Sequence, residues 1–324
     1  MAVARLRCNV ADSISDDLIT SCGERTSVPR MVPPLDSGNA LEALVAAAES
    51  VGLVADGAEL IRVGSNAVFR FASEPIVGRV APSLAKLESA SREVAVADWL
   101  EAVGVPAVRA AKVEQPLTAN GRVVTLWQAA SDKIEYGDTG ELARLLLKLH
   151  SLEPQLPLPA HDPLRKAAER ISALDSLEAR DREFLGDRFE ELASAYRALE
   201  FDLPAGVIHG DANVGNVIRD REGTAILADL DGFAIGPREW DLILTALYYE
   251  RFGWHTEAEY ISFTETYGYD VMKWSGYATM RDLRELLMVT WIAQSVRSDE
   301  GRLELMKRIE TLRTDASRKD WKPF

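Results

Sequence analysis

Apolar residues recur at helical spacing from Asn39 to Val51, and this pattern predicts an amphipathic helix. Short alternating runs follow near 59–63, 67–72, 76–81, 108–113 and 122–127. They predict five strands, with Asn120-Gly121 as a hairpin turn between the last two. Between the third and fourth runs, Val96, Ala97, Leu100 and Val103 share one face of a helix predicted over 89–103. Glu93 falls in the middle of that face, whereas Asp98 and Glu101 point away from it. An interior carboxylate is costly unless a cation meets it, so Glu93 needs a basic partner from the sheet. Arg79, inside the alternating run IVGRVA over 76–81, is the first candidate. Lys86, carried beyond the strand by Pro82 and Ser83, is its rival.

Past Trp127 the period becomes helical. Leu142, Leu145, Leu146 and Leu149 make a core stripe, residues 164–199 read as a charged helical pair, and helices follow near 240–252, 256–267, 281–297 and 300–313. Leu283, Leu286, Leu287 and Trp291 read as core packing. Set among these helices is VIHGDANVGNVIRDREGTAILADLDGFAIGPREWDL over 207–242. Its apolar start delivers Asp211 to a loop. A strand at Val217–Ile218, a turn over 219–223 and a strand over 224–228 then return Asp229 to Asn216. Carboxylate and amide oxygens are the hard donors that Mg²⁺ takes, and phosphoryl transfer asks a protein mainly to position a hydroxyl and neutralise charge.

The spacing HGD-x4-N, an apolar strand, Asp229 and then Asp241 resembles the aminoglycoside phosphotransferase and choline kinase family, the small-molecule branch of the protein-kinase-like fold. The resemblance implies an α+β, bilobal architecture with a small antiparallel-sheet N-lobe carrying one key helix and a larger, mainly helical C-lobe. With the polar, irregular residues 1–37 read as a leader, the N-lobe runs over 38–127 and the C-lobe over 128–324. The resemblance also implies that Asp211 orients or deprotonates the acceptor hydroxyl, that Asn216 and Asp229 hold Mg²⁺, and that Asp241 hydrogen-bonds the catalytic-loop backbone. Ile61–Phe71, IRVGSNAVFRF, resembles the strand, loop and strand over the phosphates of ATP, with Gly64, Ser65 and Asn66 in the loop. Arg79 stands where the family carries its phosphate-pairing lysine, and Glu93 where that lysine finds its partner. Trp127-Gln128-Ala129 resembles the connector whose backbone holds adenine.

The acceptor is less well specified. Asp231 is a candidate for a second Mg²⁺ or a substrate amine, and Glu250 and Trp254 lie in an aromatic and acidic cluster suited to an amino sugar or quaternary amine. The expected partner is a small molecule bearing a hydroxyl. The net charge of −14 favours a cationic one and disfavours nucleic acid and anionic membranes. Cys8 and Cys22 lie in a polar, proline-bearing leader that reads as a flexible tail, with Met31 as an alternative start. A body without cysteine suits a reducing cytoplasm and excludes thiol chemistry. No run approaches membrane-spanning length.

Two other readings compete. A protein kinase needs an activation segment, and Asp229 and Asp241 leave only eleven residues between them. A nucleotide-binding regulatory protein without turnover is favoured by Arg79 replacing lysine and opposed by the intact set Asp211, Asn216 and Asp229.

Overall fold

The computed structural model describes residues 33–174, 177–295 and 298–322. The leader expectation, with Cys8, Cys22 and Met31, lies outside these residues, apart from 33–37. Residues 34–36 already belong to the fold. Asp36 caps α1 (Ser37–Ser50) through a reciprocal capping box with Asn39, Leu35 packs on the core, and the Pro34 carbonyl accepts from Asn39 Nδ2 at 2.8 Å.

The N-lobe is an antiparallel sheet in the order β1-β2-β3-β5-β4, with β1 Glu59–Val63, β2 Ala67–Arg70, β3 Ile76–Val80, β4 Leu117–Ala119 and β5 Arg122–Gln128. Its two faces have different occupants because side chains alternate across a strand. Val80, Val124 and Leu126 meet the alanine-rich face of α1. Arg79 turns the other way, toward α2 (Leu87–Ala102), where Glu93, Val96, Ala97 and Leu100 are buried. Asn120 and Gly121 both adopt positive φ, 51° and 75°, and form the tight turn between β4 and β5.

One predicted strand is absent. Residues 108–113 run beside β5 but make only an isolated bridge, Ala110 to Trp127, because the Gln115 side chain occupies the edge instead. Its amide donates to the Ala111 and Leu126 carbonyls, each at 3.0 Å, and accepts from Leu126 N at 2.8 Å. The strand paired across the Asn120-Gly121 turn is therefore β4.

The C-lobe is helical: α3 Thr139–His150, α4 Pro163–Ser172, α5 Ala179–Arg197, α6 Glu239–Leu247, α7 Glu257–Tyr267, α8 Tyr277–Ser295 and α9 Asp299–Thr314. The leucine stripe of α3 is buried, as its spacing predicts. On α8, Leu283, Leu286 and Leu287 are buried while Trp291 is 41% exposed, so the stripe ends one turn early. Two ribbons, β6 (Gly206–Ile208) with β9 (Ala234–Gly236) and β7 (Val217–Arg219) with β8 (Ala225–Leu227), frame the loops between them. Among the described residues no helix is long and apolar enough to cross a membrane. The fold is α+β and kinase-like, with the antiparallel sheet set against the helices.

Candidate active site

β6 ends in a chain segment whose backbone is held by the side chains of Asp241 and Trp240. His209 N and Gly210 N donate to the two carboxylate oxygens of Asp241 at 2.6 and 2.9 Å, and Trp240 Nε1 donates to the Gly210 carbonyl at 2.9 Å. Asp241 is fully buried, yet the hydrogen bonds and charges of His150 and His209 outweigh burial and hold its carboxyl below the usual range. Gly210 has φ +84°, and a Cβ there would lie 2.3 Å from the Gly232 carbonyl oxygen. A Cβ on Gly232 would meet the His209 carbonyl at 2.7 Å, so the two loops cross at a distance only glycine permits.

Asp211 leaves this crossing with its side chain about half exposed. Asn216 Nδ2 donates to the Asp211 carbonyl at 2.8 Å and to its Oδ2 at 3.2 Å, so the amide oxygen is not used in this contact. Asp229 reaches the same place because Val217 pairs with Leu227 and Ala228 N donates to the Asn216 carbonyl at 2.9 Å. It sits in the left-handed region at φ 59°, a conformation aspartate tolerates better than most residues.

Arg79 joins the sheet to this loop. One guanidinium nitrogen pairs with Glu93 and the other lies 3.3 Å from Asp229 Oδ1. Burial works against the Arg79 charge, but Glu93, Asp229 and Asp231 hold it above its usual range. Burial pushes Glu93 up to about 7, with Arg79 pulling the other way. Lys86 makes no contact with Glu93, although both line a cavity of about 70 Å³ with Ser65, Asn66 and Asp231. With its amide turned to satisfy both ends, Asn66 accepts from Arg79 Nη2 at 3.2 Å. Gly64 lines neither this cavity nor the larger one.

That larger cleft, about 310 Å³, has apolar walls from Ile61, Val68, Val77, Trp127 and Ile134, with Arg79, Asn216 and Asp229 at its polar end. The connector is displaced from the expected register. Trp127 and Gln128 line the cleft, but Ala129 does not, and the Gln128 and Ala129 N–H groups already donate to the Arg109 and Pro75 carbonyls at 2.9 and 2.7 Å. Ala130 and Ser131 take the place at the wall.

The expected acceptor residues separate. Asp231 lines the smaller cavity beside Glu93, where desolvation and the neighbouring Asp229 charge push its carboxyl up. Glu250 and Trp254 are committed elsewhere: Tyr277 Oη donates to Glu250 at 2.7 Å, and Trp254 Nε1 donates to the Trp321 carbonyl at 3.1 Å. These partners come from other segments of the helical lobe, and Glu250 is further paired with Arg281 at 3.4 Å. In place of Glu250 and Trp254, Arg284 of α8 donates to Asp211 Oδ1 at 3.0 Å and lies over the Trp240 ring, 4.6 Å from its centroid. The Arg284 contact spans 73 positions; the sequence places Arg284 among the acceptor candidates of the helical lobe but does not pair it with Asp211. His161, by contrast, carries no signal in the sequence. Its ring lies 4.3 Å from that of Trp240, and burial, aided by Lys166 and Arg284, lowers it to about 4.

Residues 58–283 match the profile of the Phosphotransferase enzyme family. No curated protein sequence matches the chain. Among solved structures, it resembles an amicoumacin kinase, hAmiN, bound to AMP-PNP, Ca²⁺ and amicoumacin, at 13% identity and TM-score 0.58, covering 82% of this chain and 90% of that one. A choline/ethanolamine kinase family protein from Mesorhizobium loti aligns at 17% identity and TM-score 0.58, over 84% and 92% of the two chains. An aminoglycoside-3'-phosphotransferase of type VIII aligns at 22% identity and TM-score 0.55, over 77% and 99%. At these identities the structures establish a shared fold, while the profile spans most of the chain. The chain belongs to the phosphotransferase enzyme family.

Proposed function

We propose that this phosphotransferase moves the γ-phosphoryl group of ATP to a hydroxyl of a small molecule, with Asp211 as the residue that receives the hydroxyl proton. The observation that carries the reading is that Asn216 and Asp229 lie beside Arg79 at the polar end of an apolar-walled cleft, with Asp211 hydrogen-bonded to Asn216 next to it. The acceptor oxygen bonds to the γ-phosphorus, the β–γ bridging oxygen leaves with ADP, and the proton passes to the Asp211 carboxylate. The backbone near Gln128–Ser131 would meet the adenine edge, and Arg79 the phosphates.

Asn216 and Asp229 suit a divalent cation. The Asn216 amide nitrogen is used by Asp211, which leaves its oxygen as a donor beside the Asp229 carboxylate. No group of three or more His, Cys, Asp or Glu residues able to hold a metal occurs among the described residues, so phosphate oxygens would complete the shell, as is common for Mg²⁺. Bound there, the cation would neutralise phosphate charge.

A non-catalytic nucleotide sensor is the second reading, favoured only by arginine at position 79. Turnover of Mg²⁺·ATP against a panel of hydroxylated metabolites and aminoglycosides tests both. Acceptor-dependent ADP release supports the enzyme, and nucleotide binding without release by any acceptor favours the sensor.

A further inference from the structure

The wall next to Asp211 is basic, although the chain as a whole is strongly acidic. Arg284 is nearly buried, with its side chain only 10% exposed, and its Nε is enclosed without a hydrogen-bond partner. Leu287 follows Arg284 by one turn of α8, and its carbonyl accepts from Arg170 Nη1 at 3.1 Å, which lays the Arg170 side chain from α4 along α8. Lys166 precedes Arg170 by one turn and shares its face of α4. Neither Arg170 nor Lys166 has an ion-pair partner among the described residues. None of the three lines the nucleotide cleft, where Arg79 already serves.

We propose that the acceptor carries an anionic group, a carboxylate or phosphate, and that Arg284, Arg170 and Lys166 form its receptor beside Asp211. The inference rests on the phosphotransferase reading and adds the charge class of its acceptor, reversing the cationic partner expected from net charge. The mutual effects of these side chains agree with the geometry. Desolvation lowers Lys166, with Arg170 and Arg284 adding to it, and desolvation followed by Arg284 lowers Arg170. Asp231 and Asp211 oppose the Lys166 shift, and Asp211 and Glu169 the Arg170 shift, without overcoming them. Cations gathered without enough carboxylates repel one another, and a ligand anion relieves that repulsion. A bidentate guanidinium contact suits either anion, and an amine placed here meets like charge. The other available anion is the phosphoryl group of ATP itself, so the test is run with that position filled.

The protein loaded with Mg²⁺·AMP-PNP is titrated calorimetrically with two matched sets of probes: glucuronate, glucose and glucosamine; and glycerate, glycerol and serinol. In at least one set the acid is expected to bind tenfold or more tightly than its neutral counterpart, with the amine weakest. Lys166→Gln should weaken the acid at least threefold. Arg170→Gln should bring it close to the neutral probe. Both variants should keep their AMP-PNP affinity. Equal binding across each set, no binding by either acid, tightest binding by an amine, or variants that lose AMP-PNP affinity and spare the acid would each overturn the proposal. Failure of the wild-type protein to bind AMP-PNP would instead defeat the phosphotransferase reading beneath it.

Discussion

Arg79 Nη2 lies 3.3 Å from Asp229 Oδ1, so a strand of the sheet touches the loop that returns from the β7–β8 hairpin, 150 positions away. The same guanidinium holds Glu93 of α2. One side chain thus ties the sheet, its helix and the cleft floor together. Arginine can do this and still face phosphate, because its planar fork carries donors on both nitrogens.

Arg79→Ala is expected to raise the KM for ATP by about tenfold to a hundredfold, the scale of a lost charge-assisted contact. It also strands the Glu93 carboxyl in a buried site, so the midpoint of urea unfolding should fall. Arg79→Lys should recover part of both. Steady-state kinetics with unchanged KM in Arg79→Ala would remove the phosphate role.

Asp229→Ala is expected to abolish the Mg²⁺-dependent part of ATP affinity while sparing metal-free binding. Calorimetric titrations with and without Mg²⁺ measure the two parts. Equal loss in both conditions would make Asp229 a packing residue.

Asp241→Ala removes the acceptor of the His209 and Gly210 N–H groups and empties a fully buried site. Urea unfolding should show a loss of about 2–4 kcal/mol, the usual scale for orphaning buried hydrogen-bonded partners. The loop that carries Asp211 should lose kcat with it. A loss under about 1 kcal/mol would show that the clamp is dispensable.

His161 makes stability fall in mild acid. Its folded value of about 4 lies below the ordinary 6.5, so the neutral ring favours the fold above 6.5 and that contribution disappears as pH falls toward 4. Between pH 7 and pH 5 the unfolded chain gains a proton that the folded chain resists, worth about 2 kcal/mol. His161→Gln should flatten this part of the pH dependence in urea unfolding. An unchanged slope would contradict the assignment.

What the sequence made readable was local or periodic. Asp211, Asn216 and Asp229 are joined by a short hairpin, so their separation in space follows from their spacing. Glu93 betrayed its partner because a charge on an apolar helix face demands one. The unreadable parts depend on distant chain. Gln115 displaced a predicted strand with its side chain, Pro75 captured the Ala129 N–H, and Tyr277 and Trp321 claimed Glu250 and Trp254. Arg284 was readable as an acceptor-lobe candidate, but its contact with Asp211 was not, since only the packing of α8 against the loop that carries Asp211 makes it.

The most direct test of phosphoryl transfer through Asp211 is a single-turnover ³¹P NMR or quench measurement on the wild type and Asp211→Asn, with Mg²⁺·ATP and the best acceptor from the panel. The wild type should yield a phosphomonoester in an acceptor-dependent step. The variant should keep its Mg²⁺·ATP affinity while its rate falls by a factor on the order of a thousand or more. A variant rate within tenfold of wild type would contradict the catalytic role of Asp211.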